Sequence, residues 1–293
     1  MTSNRFTFIT YCDLPNLDAD DRLVASELTK RGFECKIADW RDQSVDWSNA
    51  GICVLRSTWD YHLHYDEFLS WVAKVSAQTT VWNNAELVRW NSNKTYLFDL
   101  NDAGIPIVPT VLFKQNDKSN LSEVMDERGW VRGILKPIVG LSTFGVCQVE
   151  KNLDASQEQL ERMLKTFDVL LQPFIETVHE RGERALVFIG QEYSHTIRKS
   201  AFQPLAQAGE AGETLEQADR EELNLARRVL EEVKTPCAFA RVDLIRDQRG
   251  KDLLMELELV EPSLYLQMYP RAISKFADTL CQLARVEPSA RVQ

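Results

Sequence analysis

Residues 238–260 read AFARVDLIRDQRGKDLLMELELV. Side chains alternate between the two faces of a strand. Arg241 and Asp243 therefore share one face of an expected strand over 238–246, and Glu256 and Glu258 share one face of a second over 252–260. Leu253, Met255, Leu257 and Leu259 take the opposite face and supply a core beneath it. Asp247-Gln248-Arg249-Gly250 supplies a four-residue turn. Pairing around that turn sets Arg241 opposite Glu256 and Asp243 diagonal to it, with Arg241, Asp243, Glu256 and Glu258 on one surface. Carboxylates within about 5–8 Å of one another on neighbouring strands repel unless a cation lies among them. Hard oxygen donors suit Mg²⁺ or Mn²⁺. From spacing alone the alternative is a solvated face balanced by Arg241 and nearby lysines.

Working outward, strands alternate with helices over about residues 1–90. Strands are expected at 5–11, 33–38, 52–56 and 79–82, and helices at 18–31 and 65–76. That alternation predicts a parallel α/β unit. A second unit opens where Asn93 caps a helix over 94–103. Pro106 and Pro109 lead into a strand over 108–113, and further strands follow at 133–137, 145–149 and 169–172. A third unit carries strands at 185–189 and 194–199, a Gly- and Ala-rich surface loop at 203–213, and a long helix opened by the capping-box spacing Thr214-x-x-Gln217. A last helix lies near 272–284, and a frayed tail starts at Glu287. The expected division is 1–92, 93–172 and 173–293, an α/β (α+β) chain with an N-terminal parallel domain.

The 293 residues carry 34 Lys and Arg against 44 Asp and Glu, a formal charge of −10. This balance argues against coating nucleic acid or an anionic membrane, since both need clustered basic residues. It leaves room for one small polyanion held at one site. No apolar run is long enough to span a membrane, and no signal-peptide pattern opens the chain. The six cysteines are scattered with no Cys-x-x-Cys, which reads as reduced core thiols in a cytoplasmic protein. The four histidines need no catalytic role and read as structural or surface residues.

Several basic residues sit where phosphate could be held. Lys136 ends an apolar strand just before Val139-Gly140-Leu141-Ser142-Thr143-Phe144-Gly145, a loop able to offer backbone N–H groups and hydroxyls. Lys94 lies at a helix start, where the dipole disfavours a cation unless an anion is near. Arg198 and Lys199 end another strand. For each, a solvated surface charge is the alternative. P-loop and Rossmann fingerprints are absent. Arg56-Ser57-Thr58 follows the expected strand over 52–56, and open α/β sheets bind ligands beyond the C-terminal ends of their strands. Arg56 could take a substrate carboxylate there, or form a salt bridge to Asp60 or Asp13.

Taken in order, Lys94, Lys136-Pro137, a small-residue loop, Gln172-Pro173-Phe174-Ile175, Gly182-Glu183, Arg198, Asp243 and Glu256-x-Glu258 resemble the ATP-grasp superfamily. The likeness extends over about residues 5–283. It is strongest to the cyclo-ligase of cycloserine biosynthesis in Arg56-Ser57-Thr58-Trp59-Asp60-Tyr61, in Trp90-Asn91 through Leu97, and in Met255 through Ser263. The resemblance implies an ATP-grasp fold behind an N-terminal pre-ATP-grasp domain, with ATP and Mg²⁺ (or Mn²⁺) as cofactors. It implies that Lys94 and Lys136 contact phosphates and that Gly140, Ser142, Thr143 and Gly145 close over them. Gln172, Pro173, Phe174 and Ile175 would form the adenine hinge, and Glu183 would take the ribose. Arg198 and Arg241 would act in catalysis, and Asp243, Glu256 and Glu258 would hold metal. Arg56, Ser57, Thr58, Asp60 and Ser263 would face the substrate. Glu258 replaces the Asn of glutathione synthetase, which adds charge but keeps an oxygen donor. Arg184 stands where a small residue is expected in the cyclo-ligase.

The reaction this implies is carboxylate–amine ligation through an acyl phosphate on a small amino-acid-like substrate, with cyclisation within one molecule as one form. An ATP-binding module without turnover and a phosphoryl transferase are the other readings. Related ligases commonly form homodimers.

Overall fold

The structure, a computed structural model, describes residues 4–141, 143–200 and 212–285. The expected loop at 203–213 falls mostly outside these residues, as do Ser142 and the tail from Glu287.

The first unit is the expected parallel α/β layer. It comprises β1 (Arg5–Thr10), α1 (Ala19–Lys30), β2 (Glu34–Asp39), β3 (Ile52–Leu55), α2 (Tyr65–Ser76), β4 (Val81–Trp82) and α3 (Ala85–Asn91). The sheet order is β2-β1-β3-β4, with every pair parallel. The α1 helix starts where the Asp18 carboxylate accepts from Asp20 N–H, and the chain leaves it through Gly32 at φ +88°. The α3 helix is absent from the sequence reading. It has seven residues, too few for a periodic apolar stripe, and is set by Asn84, whose side chain accepts from Leu87 N–H at 2.9 Å.

Next come α4 (Tyr96–Asp102), β5 (Val111–Phe113), α5 (Leu121–Glu127), β6 (Arg132–Pro137), β7 (Cys147–Glu150), α6 (Asp154–Leu164) and β8 (Val169–Pro173). Their antiparallel sheet runs β5-β8-β6-β7. The strand expected over 108–113 is shorter, because 106–108 is spent elsewhere: Val108 N–H donates to Leu254 O at 2.9 Å and Leu254 N–H to Pro106 O at 2.8 Å.

The last group is α7 (Val178–Arg181), β9 (Glu183–Ile189), β10 (Glu192–Lys199), β11 (Glu213–Glu216), α8 (Arg220–Glu231), β12 (Phe239–Arg246), β13 (Asp252–Glu258) and α9 (Arg271–Arg285). Its sheet order is β11-β10-β9-β12-β13. The expected capping box at Thr214 is corrected. Residues 213–216 form an edge strand on β10, and the box is Asp219-x-x-Glu222 at the start of α8. Strand pairing satisfies the backbone around Thr214, so that segment has no need of a helix.

The hairpin register also differs from expectation. Arg246 pairs with Asp252, and the turn spans 247–251, closed by Asp247 N–H donating to Lys251 O at 2.8 Å. A β-bulge between Asp243 and Leu244 then leaves Met255 as the extra residue. Asp243 therefore faces Glu256, and Arg241 faces Glu258. The net slip is two residues, so the four charged side chains keep their common face. The bulge does move the apolar residues. Leu254 joins Leu257 and Leu259 in the core with Val242 and Leu244, while Leu253 and Met255 pack instead with Ile245 and Phe174.

Candidate active site

Three buried polar anchors hold the acidic strand in place. Asn91 donates to Leu257 O at 2.8 Å and accepts from Leu259 N–H at 2.7 Å. Tyr96 Oη accepts from Leu257 N–H at 2.9 Å. Asn83 donates to Phe239 O and Leu259 O and accepts from Ala238 N–H. Helices α3 and α4 thus grip the strand that carries Glu256 and Glu258. Replacing Asn91 by Ala leaves a buried N–H and a buried C=O unpaired, each costing ~1–3 kcal/mol. The expected result is a loss of about 3 kcal/mol, read as a lower denaturation midpoint with an unchanged slope; a midpoint equal to wild type would refute it.

The acids meet cations from three directions. Lys94 Nζ lies 2.8 Å from Glu256 and donates to Gly140 O at 2.5 Å. Lys199 Nζ lies 2.8 Å from Asp243 and 3.0 Å from Glu183. Arg241 chelates Asp243 at 2.9 and 3.0 Å and also bonds Glu258 and Ser263 O. Burial opposes the charge on Asp243, but Arg241 and Lys199 outweigh it and hold its carboxyl at about 2. Burial, only partly relieved by Arg241 and reinforced by the charges of Asp243 and Glu256, pushes Glu258 up to about 7. Among the described residues no three His, Cys, Asp or Glu side chains are gathered closely enough to chelate one ion as they stand. The carboxylates are turned to Lys94, Lys199 and Arg241 instead.

Lys136 differs from its neighbours. It is 6% exposed at the end of β6 and has no hydrogen-bond or ion-pair partner among the described residues. Burial depresses it to about 8, with Glu256 opposing and Lys94 adding to the shift. The loop after it turns through Thr143 at φ +63° and Gly145 at φ +66°. A Cβ on Gly145 would meet Pro137 Cγ at 2.8 Å, so the close return of the loop requires glycine. Phe144 meets His62 edge-on at 4.6 Å, bringing the loop against the first unit.

The remaining expected residues divide into two sets. Gln172 is buried and donates to Thr110 Oγ1; Pro173 closes β8; Phe174 stacks under the Arg132 guanidinium at 4.5 Å. Ile175 packs with Ile134 and Met255 around a buried cluster that includes Phe174 and Leu253. Glu183 reaches the acids through Lys199. Arg198 is turned away: it donates to Arg181 O and Glu180 O at the end of α7. Lys199, its neighbour, points to the acids, and a one-residue step along a strand reverses the face. Lys199, offered by the sequence only as Arg198's neighbour, is the one of the pair at the acids, and Met255, expected under Leu257, packs toward Phe174; register was the missing signal for both. Arg184 is buried on the Arg198 side against Glu216 and Glu222, so it is a packing residue remote from the acids.

Arg56 pairs with neither Asp60 nor Asp13. It is 2% exposed, 2.7 Å from Asp21, donates to Pro262 O, and lies over the Phe239 ring at 4.6 Å. Ser57 donates to Asp21 and accepts from Asp18 N–H. Asp60 accepts from Trp40 Nε1 at 2.8 Å. Thr58 is fully buried, and Ser263 enters only through its carbonyl. His195, buried between Leu264 O and the Tyr269 ring, is structural.

Two antiparallel sheets behind a parallel α/β layer form an architecture shared with solved ATP-grasp proteins. Residues 6–83 match the family described as D-cycloserine synthetase DcsG, N-terminal domain. Cycloserine biosynthesis protein DcsG of Streptomyces lavendulae is 32% identical over 277 residues, covering 88% of this chain and 90% of that protein. The crystal structure of D-cycloserine synthetase DcsG superposes with a TM-score of 0.87 at 27% identity, covering 96% of this chain and all (100%) of that one. A RimK domain ATP-grasp protein from Sphaerobacter thermophilus has a TM-score of 0.68 at 19% identity, covering 96% and 100%, and shares the fold. The chain belongs to the DcsG family. Among the described residues no helix is long and apolar enough to cross a membrane.

Proposed function

We propose that this protein is an ATP-dependent carboxylate–amine ligase working through an acyl phosphate on a small amino-acid-like substrate. The observation that carries the reading is Lys136, a buried lysine with no hydrogen-bond or ion-pair partner among the described residues, within electrostatic reach of Lys94 and of Glu256 on the acidic hairpin. A buried unpaired cation is costly and calls for an anion. A polyphosphate fits Lys94, Lys136, Lys199 and the backbone of the loop around Gly140, Thr143 and Gly145. The donor set of Asp243, Glu256 and Glu258 fits a hard divalent cation, and Glu258, pushed up to about 7 by burial and then by its acidic neighbours, gains from one. When bound, Mg²⁺ (or Mn²⁺) neutralises phosphate charge. The apolar surface of Ile134, Ile175 and Met255 suits adenine, with Gln172, Pro173 and Phe174 behind it and Glu183 for the ribose.

The substrate carboxylate oxygen attacks the γ-phosphorus, and the bond to ADP breaks. An amine nitrogen then attacks the acyl carbon, phosphate leaves, and the nitrogen loses its proton. Lys199 and Arg241 hold the charge that builds on the transferring phosphoryl group, and the protein acts mainly by positioning. Similarity to a D-cycloserine synthetase favours nitrogen and carboxylate within one molecule. The test is ADP and phosphate release from Mg-ATP across a panel of amino-acid derivatives, with product identified by mass. ATP binding without ADP release on any compound would leave a binding module instead. Lys199→Ala is expected to lower turnover ~100-fold, whereas Arg198→Ala stays within about twofold of wild-type turnover. Equal effects would remove Lys199 from the assignment.

A further inference from the structure

Glu261 lies three residues beyond Glu258, past the end of β13, and is 9% exposed. Its Oε2 is buried with no hydrogen-bond partner. Among the described residues seven other buried side-chain atoms share this condition, and two of them, Arg56 Nη1 and Thr58 Oγ1, belong to the segment beside Glu261. They lie along one seam, because Arg56 Nη2 donates to Pro262 O at 2.7 Å and Trp59 Nε1 to Glu261 O at 3.3 Å. The charges that reach Glu261 are those of Glu258, Lys94, Arg56 and Arg241, so its carboxylate borders the cleft of lysines and acids. The Tyr61 phenol lies within electrostatic reach of the same carboxylate.

Each nearby cation is already committed. Lys94 is taken by Glu256, Arg241 by Asp243 and Glu258, and Arg56 by Asp21. Burial and the charge of Glu258 push the Glu261 carboxyl up to about 8, so the orphaned buried oxygen is poised to ionise only when a cation from outside the chain sits against it. A divalent cation is better served by the three carboxylates of Asp243, Glu256 and Glu258, whereas here one carboxylate lies within reach of the Arg56 guanidinium, which repels a double charge. A primary ammonium needs only a few acceptors and tolerates an aromatic wall. Building on the ligase reading above, we infer that Glu261 receives the free primary ammonium group of the amino-acid-like substrate and so selects substrates that carry one. Arg56 Nη1 and Thr58 Oγ1 offer donors to an oxygen of the same molecule.

The test is calorimetric binding to the full-length protein saturated with Mg-ADP, which needs no turnover. The probes are the free amino acids and O-substituted serines in both enantiomers; the tightest is then compared with its des-amino and N-acetyl counterparts. Wild type is expected to bind the amino compound at least about tenfold more tightly. Glu261→Gln should erase that preference while its Mg-ADP affinity holds and its melting temperature does not fall, and Glu261→Asp should restore part of it. Binding of no amino compound, equal binding of the des-amino counterpart, or an undiminished preference in Glu261→Gln would overturn the inference. Failure of the ligase reading shows separately, as Mg-ATP bound without ADP release.

Discussion

Asp243→Asn is expected to abolish Mg-dependent ADP release and to destabilise the fold in the same stroke. Asp243 is 1% exposed and accepts from both Arg241 nitrogens and from Lys199. Removing its charge leaves two buried cations facing an amide. Breaking a buried ion pair from one side costs about 3–5 kcal/mol. In a chain of this length, that lowers the melting temperature by roughly 10 °C. Losing several kcal/mol of charge stabilisation in the transition state lowers turnover about a thousandfold. The pH dependence follows from its depressed carboxyl. The folded value near 2 lies below the ordinary 3.8, so the stabilisation is complete above 3.8 and is lost as pH falls through 2. The gap between variant and wild type should therefore narrow in acid. Denaturation curves at pH 7 and pH 3, with ADP release at saturating Mg-ATP, decide it. Wild-type stability together with wild-type turnover would remove Asp243 from both the ion pair and the metal platform.

Much of this site can be read from alternation alone. Period-2 alternation puts Arg241, Asp243, Glu256 and Glu258 on one face under any even slip, so the platform survived an error in the register. What alternation cannot reveal is a bulge. The extra residue at Met255 moved Leu253 and Met255 away from Leu257 and toward Phe174, where an apolar surface of different use begins. Arg198 and Lys199 show the same limit at its sharpest. Adjacent basic residues at a strand end are equivalent in sequence, and only the pairing of Lys199 with Glu183 says which faces the acids. Arg56 was legible as important but not in its role. Its partner Asp21 comes from α1, and the contact that fixes its other end, Pro262 O, is more than 200 residues away. Long-range polar contacts of this kind leave no local periodicity to read.

Lys136→Met should make the protein more stable and a poorer binder of ATP. Burial lowers the Lys136 ammonium from 10.5 to about 8. Between those values the unfolded chain holds a proton that the folded chain has released, so stability rises with pH across that window. Below pH 8 the full penalty applies, about 3 kcal/mol for a shift of this size. Methionine has a similar length and no charge, so the variant recovers up to that amount at pH 7, and its advantage fades as pH approaches 10.5. A lysine that contacts phosphate contributes ~1.5–3 kcal/mol through charged hydrogen bonds, which makes ATP affinity roughly 10- to 100-fold weaker in the variant. Opposite signs for stability and binding are the signature of a residue kept for its ligand at the expense of the fold. Denaturation midpoints at pH 7 and pH 10.5, paired with ATP titrations at pH 7, give both numbers. A variant that is less stable at pH 7 and binds ATP as wild type does would show that Lys136 serves the fold and has no part in the phosphate grip.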